Sequence, residues 1–118
     1  MTEVNYHDRF FKMVGTSTGD EEAVANTVFH YRQKGDVVWG TYEGGSVAFG
    51  TLVAKLVDDG NLNLRFQHVY TNGVVMAGTC YSTLQILDDG RYRLDEAFRV
   101  FGEDDSAGHS VVEEFRPG

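Results

Sequence analysis

The stretch Leu62-Asn63-Leu64-Arg65-Phe66-Gln67-His68-Val69-Tyr70-Thr71-Asn72-Gly73-Val74-Val75-Met76 decides how this chain folds. Its first nine residues alternate: Leu62, Leu64, Phe66, His68 and Tyr70 fall on one face, and Asn63, Arg65 and Gln67 on the other. That period of two marks a strand with one side buried. Thr71-Asn72-Gly73 then supplies a three-residue hairpin loop, whose last position needs the positive φ that glycine accepts without steric cost.

The same punctuation recurs outward along the chain. Asp58-Asp59-Gly60 precedes the stretch and Asp88-Asp89-Gly90 follows it, Gln33-Lys34-Gly35 has the same form, and Glu43-Gly44-Gly45-Ser46 reads as a hairpin with a two-residue Gly44-Gly45 loop. These turns delimit strands near 9–14, 25–32, 36–43, 46–57, 61–70, 74–87, 91–101 and 108–115, eight in sequential hairpins. A flat meander of this kind leaves two exposed edges, and closure into a barrel removes both. The expected fold is therefore all-β, an antiparallel eight-stranded meander closing into a small barrel that takes residues 1–118 as one domain. The segment from Asp20 to Lys34 also has the marks of a helix: Asp20 as N-cap, Glu21 and Glu22 in the first turn, Gly35 as stop, and Ala23, Val24, Val28 and Tyr31 near helical spacing. Because Thr27-Val28-Phe29-His30-Tyr31 is rich in strand formers, one short helical turn before a strand reconciles the two signals.

Composition narrows the function classes. A length of 118 residues allows one modest core, and 14 Gly against 1 Pro suits strands joined by tight turns. A net charge of −8 disfavours nucleic acid or an anionic membrane as partner, since both attract clustered Lys and Arg. Cys80 is the only cysteine, which excludes an intrachain disulfide and a cysteine-based zinc site and fits a reducing cytoplasm. The first residues carry neither a basic segment nor an apolar run, and no stretch approaches the ~20 apolar residues of a membrane-spanning helix. His7, His30, His68 and His109 are too scattered for metal-ligand spacing, so no metal and no cofactor is expected.

If each Gly-terminated turn is a three-residue loop, the pairing register follows by arithmetic, and so does the inward face of every strand. The inward set runs Tyr31, Phe29 and Thr27, then Val37, Trp39 and Thr41, then Ala48, Gly50, Leu52, Ala54 and Leu56. It continues through the quoted strand to Met76, Gly78, Cys80, Ser82, Leu84 and Ile86, and then to Tyr92, Leu94, Glu96, Phe98 and Val100. One row across the barrel reads Phe29, Trp39, Gly50, His68, Met76, and the next reads Thr41, Ala48, Tyr70, Val74. Aromatic residues there face Gly and Ala, which leaves room for a small ligand.

The expected site is therefore an interior pocket for a mostly apolar or aromatic small molecule, with Phe29 and Trp39 as walls beside Gly50 and Met76 as an adaptable contact. His68, Tyr70 and Thr41 would supply hydrogen bonds. Glu96 is the other inward polar group, and a buried carboxyl with a raised pKa suits proton transfer. A cofactor-free isomerase, cyclase or hydrolase is the alternative, although the register separates Glu96 from His68 by about six residues, ~20 Å along a strand. A third reading is a structural or interaction homodimer through the outer face of strands two to four, where Val28, Val38, Phe49 and Val53 would form an apolar patch. Arg65 and Arg99 flank Thr79 in an outward row of the opposite wall.

The succession of hairpins resembles the calycin-like group of lipocalins, fatty-acid-binding proteins and avidins in architecture, without the Gly-X-Trp signature of a lipocalin near its start. That resemblance implies the small closed barrel. Arg65-Phe66-Gln67-His68-Val69-Tyr70-Thr71-Asn72-Gly73, Gly78-Thr79-Cys80-Tyr81-Ser82 and Leu87-Asp88-Asp89-Gly90-Arg91 are also similar to a family of small bacterial proteins often labelled N-acetylglutamate synthase. The similarity implies a bacterial origin and a compact fold. It does not imply the enzyme, because no Gly-rich loop before a helix is present to hold the pyrophosphate of acetyl-CoA.

Overall fold

The computed structural model describes residues 4–16, 26–102 and 106–116. Its strands are β1 (Arg9–Thr16), β2 (Val28–Lys34), β3 (Val37–Gly44), β4 (Val47–Leu56), β5 (Leu62–Tyr70), β6 (Val75–Ile86), β7 (Tyr92–Val100) and β8 (Ala107–Phe115). Each pairs antiparallel with the next, and β8 returns to β1, so the sheet is a closed barrel. The helical reading of 20–34 gives way to β2 from Val28 onward, and its part over 20–25 lies outside the described residues.

Three turns have the expected form. Val57 N–H donates to the Asn61 carbonyl, Tyr70 N–H to that of Val74 and Leu87 N–H to that of Arg91, each closing a three-residue loop that ends in glycine. They fix the register from β4 to β7: Gly50 faces His68, His68 faces Met76, and Ser82 faces Glu96.

The inward face of β3 is corrected. Lys34 pairs with Val37 and Gly44 with Val47, so the loops are Gly35-Asp36 and Gly45-Ser46. Both have a glycine at positive φ in the first position, the Gly-X form of a two-residue hairpin. As a result Tyr31 pairs with Gly40 where Val37 was expected, and Gly50 pairs with Tyr42 where Trp39 was expected. A displacement by an odd number of residues turns a strand over. Val38 and Tyr42 therefore point inward, while Val37, Trp39 and Thr41 point outward. The second displacement undoes the first, which is why β2 and β4 keep their expected faces. A bulge between Val47 and Phe49 makes one more change, bringing Val47 in and sending Ala48 out.

The closed end of the barrel is filled. Phe11, Val38, Leu62, Leu94 and Val112 are buried there, and Tyr6, from the segment before β1, is fully buried among them. Tyr6 packs edge-on against Tyr92, and its hydroxyl donates to the Gly60 carbonyl at 2.6 Å. Beside this plug, Glu114 accepts both bonds of a two-pronged contact with Arg9 Nη1 at 2.9 and 3.0 Å and a bond from the Tyr92 N–H at 2.9 Å. The Arg9 guanidinium lies 3.8 Å from the centre of the Tyr92 ring. Three strands, β1, β7 and β8, are thereby tied at the seam where the barrel closes.

Candidate functional site

The other half of the barrel is hollow. A cavity of about 370 Å³ opens at the end formed by the start of β2, β4, β6 and β8 and the finish of β1, β3, β5 and β7. Thr27, Val47, Tyr70 and Val100 lie near its mouth, and Phe29, Phe66, Phe98, Met13 and Met76 form apolar walls. At its depth, beyond which each strand enters the filled core, are Tyr31, Leu52, Leu64, Cys80, Glu96 and Ser110.

One polar cluster sits in the wall. Gly50 lets the ring of Tyr42 lie directly on the β4 backbone, since any Cβ there would collide with that ring. Held flat in this way and stacked on Phe29 at 4.8 Å, Tyr42 brings its hydroxyl to 2.7 Å from His68 Nδ1. His68 is also in edge contact with Tyr70 at 4.7 Å, and the Tyr70 hydroxyl points to the Met76 sulfur at 3.3 Å. Burial lowers the pKa of His68, so the ring is neutral at pH 7, and its Nε2 is buried without a partner among the described residues.

A second cluster makes the floor. Ser82 donates to Glu96 Oε2 and Ser110 to Glu96 Oε1, both at 3.1 Å. Burial pushes the Glu96 carboxyl up to about 7 against the pull of these two bonds, and neighbouring Asp95 adds to the rise. The Cys80 thiol beside it, 3.6 Å from the Ser82 hydroxyl, is pushed up to about 12 by burial and by Glu96 and is therefore no nucleophile at neutral pH. Among the described residues no three His, Cys, Asp or Glu side chains come together to hold a metal ion.

The structure thus brings Phe29, His68, Tyr70, Met76 and Glu96 to one cavity, with Gly50 beneath it as the seat of Tyr42. Trp39 and Thr41 do not belong to it. Trp39 is 37% exposed on the outer wall opposite Val53, and Thr41 is exposed beside it. Tyr42 and Ser110 were missed. The signal for Tyr42 lies in the Gly-Asp and Gly-Ser pair of two-residue loops, whereas Ser110, opposite Glu96 on β8, has no sequence signal, since no turn of readable length joins β7 to β8. His68 and Glu96 line the same cavity, yet each makes its hydrogen bonds to different partners, as the separation along the strands leads one to expect. The outer patch changes in the same way: Val38 is wholly buried, and Trp39 takes its place beside Val53, with Phe49 against Val69.

The family model described as avidin-like protein matches residues 4–115, nearly the whole chain. A search of the curated proteins finds no match.

Proposed function

This chain belongs to the avidin-like family, and on that premise we propose that it binds one small, mostly apolar or aromatic molecule inside its barrel. The observation that carries the reading is the cavity of about 370 Å³, within the ~300–1,000 Å³ usual for ligand pockets, with aromatic walls and a few converging polar groups. The Tyr42–His68 pair and the Glu96 floor would orient the ligand, and the rings of Phe29, Phe66 and Phe98 would hold its body.

The test follows the Met13 and Met76 methyl groups by NMR during titration with biotin, which the family name suggests, and with a panel of aromatic metabolites. Both methyls line the cavity and report on its occupancy. Shifts at both on adding one compound are expected. If neither methyl moves with any compound at millimolar concentration, the reading fails.

The outer wall supports a further reading, self-association. Trp39, Phe49, Val53 and Val69 are exposed together on β3, β4 and β5, and an apolar face of this kind suits a second copy of the chain.

A further inference from the structure

Glu96 faces the cavity without a counter-charge. The side chains around it are the phenols of Tyr6, Tyr31 and Tyr42, the Cys80 thiol, and the Ser82 and Ser110 hydroxyls. Asp95, its neighbour in sequence, adds negative charge from the outer face, and the other titratable groups at the cavity are His68 and Tyr70 on β5. Among the described residues no lysine or arginine lines the cavity. Arg9, at the closed end, is already engaged by Glu114 and stands over Tyr92.

A buried carboxylate is stable only when paired, and each oxygen of Glu96 has one serine donor and lone-pair capacity to spare. The missing half is a donor that carries positive charge. The rings of Phe66, Phe98 and Tyr42 line the same cavity, and aromatic ring faces favour a cation over an anion.

Resting on the reading of the cavity as a ligand pocket, we infer that its ligand is an apolar or aromatic amine whose ammonium group pairs with Glu96 at the floor, and that carboxylate-bearing molecules of the same shape are turned away. At a pH where Glu96 is protonated, the ammonium displaces that proton to solvent: the carboxylic acid and the ammonium become a carboxylate–ammonium pair plus one released proton. Where Glu96 is already ionised, binding releases none.

The experiment compares three probes with one skeleton, 3-phenylpropylamine, 3-phenylpropanol and 3-phenylpropanoate, by calorimetry and by the Met13 and Met76 methyl shifts. The amine is expected to bind tightest and the carboxylate weakest at pH 8. With the Glu96 carboxyl at about 7, amine affinity is expected to rise roughly tenfold from pH 6 to pH 8, while that of the alcohol changes little. Glu96→Gln is expected to abolish both the preference and the pH dependence. The pH series and the proton release, measured in two buffers of different ionisation enthalpy, need only the unaltered protein and so stand even if the variant does not fold. An amine that binds no better than the alcohol, or with no pH dependence and no proton release, overturns the inference and leaves the pocket reading intact. Absence of binding by all three overturns the inference, and silence of the methyls towards every other compound as well overturns the pocket reading.

Discussion

Glu96 illustrates what one residue contributes when its environment is set by the whole barrel. Its proton is held in the folded state up to about pH 7, whereas in the unfolded chain it is lost near the ordinary value of 4.5. Between these values the unfolded chain binds fewer protons than the native one, so stability falls as pH rises through that window and levels off above it. The unmodified protein should therefore lose on the order of 3 kcal/mol from pH 4.5 to 7 relative to Glu96→Gln. Denaturant midpoints measured for both proteins across that range check this, and parallel curves would remove Glu96 as the titrating group. Asp8 and Asp89, whose carboxyls are lowered by hydrogen bonds from His30 and Arg91, titrate alike in both proteins and cancel. Gly50 acts at the same scale. Gly50→Val should push the Tyr42 ring off β4, break the Tyr42–His68 bond and destabilise the fold by about 1–3 kcal/mol. The measurement is the His68 ring shift together with the thermal midpoint. Glu96 as an inward residue was legible from its even spacing to Leu94 and Phe98; its serine partner on β8 was not, because no turn with a readable length connects β7 to β8.

At the scale of the element, β3 carries the lesson. The alternation Val37-Val38-Trp39-Gly40-Thr41-Tyr42 offers an aromatic residue on each face, so the strand's own composition does not choose between them. The choice belongs to the two loops, and Gly35-Asp36 and Gly45-Ser46 each place the glycine first rather than last. By contrast, Asp58-Asp59-Gly60 and Asp88-Asp89-Gly90 end on their glycine, and the strands that follow them, β5 and β7, with Arg or Asn on one face and Leu on the other, have only one sensible side to bury. The orientation of β3 makes a direct prediction. In the Phe49→Asp protein, whose outer wall is left uncovered, Trp39 fluorescence should be red-shifted and readily quenched by acrylamide, and Trp39→Ser should leave ligand binding unchanged within about twofold. Tyr42→Ala, three residues along the same strand and on its inward face, should weaken it by tenfold or more, since it removes both a wall and the partner of His68. A blue-shifted, protected Trp39 in that monomeric variant would contradict this face assignment.

At the scale of the molecule, closure divides the barrel into a filled end and a hollow one. The filled end depends on the tie of Arg9, Tyr92 and Glu114 across the β1–β8 seam. Removing the charge by Glu114→Gln leaves a three-quarters-buried guanidinium without its partner and should cost about 1–3 kcal/mol, discounted for the part of Arg9 that reaches solvent. Denaturant unfolding checks the cost, and methyl shifts at Met13 and Met76 should show the cavity unaltered. On the outside, the apolar wall of β3 to β5 predicts a dimer in solution that Phe49→Asp converts to a monomer. Sedimentation of the two proteins decides it, and a monomeric mass for the unaltered chain rules the dimer out.

The sequence by itself determined the number of strands, their antiparallel order, closure into a barrel and the inward faces of β2, of β4 from Gly50 onward and of β5 to β7, because alternation and glycine-ended turns are local signals that repeat consistently. Tertiary structure decided the rest. Which face of β3 looks inward depends on loop geometry that differs by a single residue. Tyr6 reaches the closed end only because the assembled barrel leaves a space there for its ring. Whether the interior is full or hollow is a sum of side-chain volumes over all eight strands, a quantity no one segment contains. The uncompensated carboxyl of Glu96 belongs to the same class: its chemistry is set by what the other strands fail to bring to it.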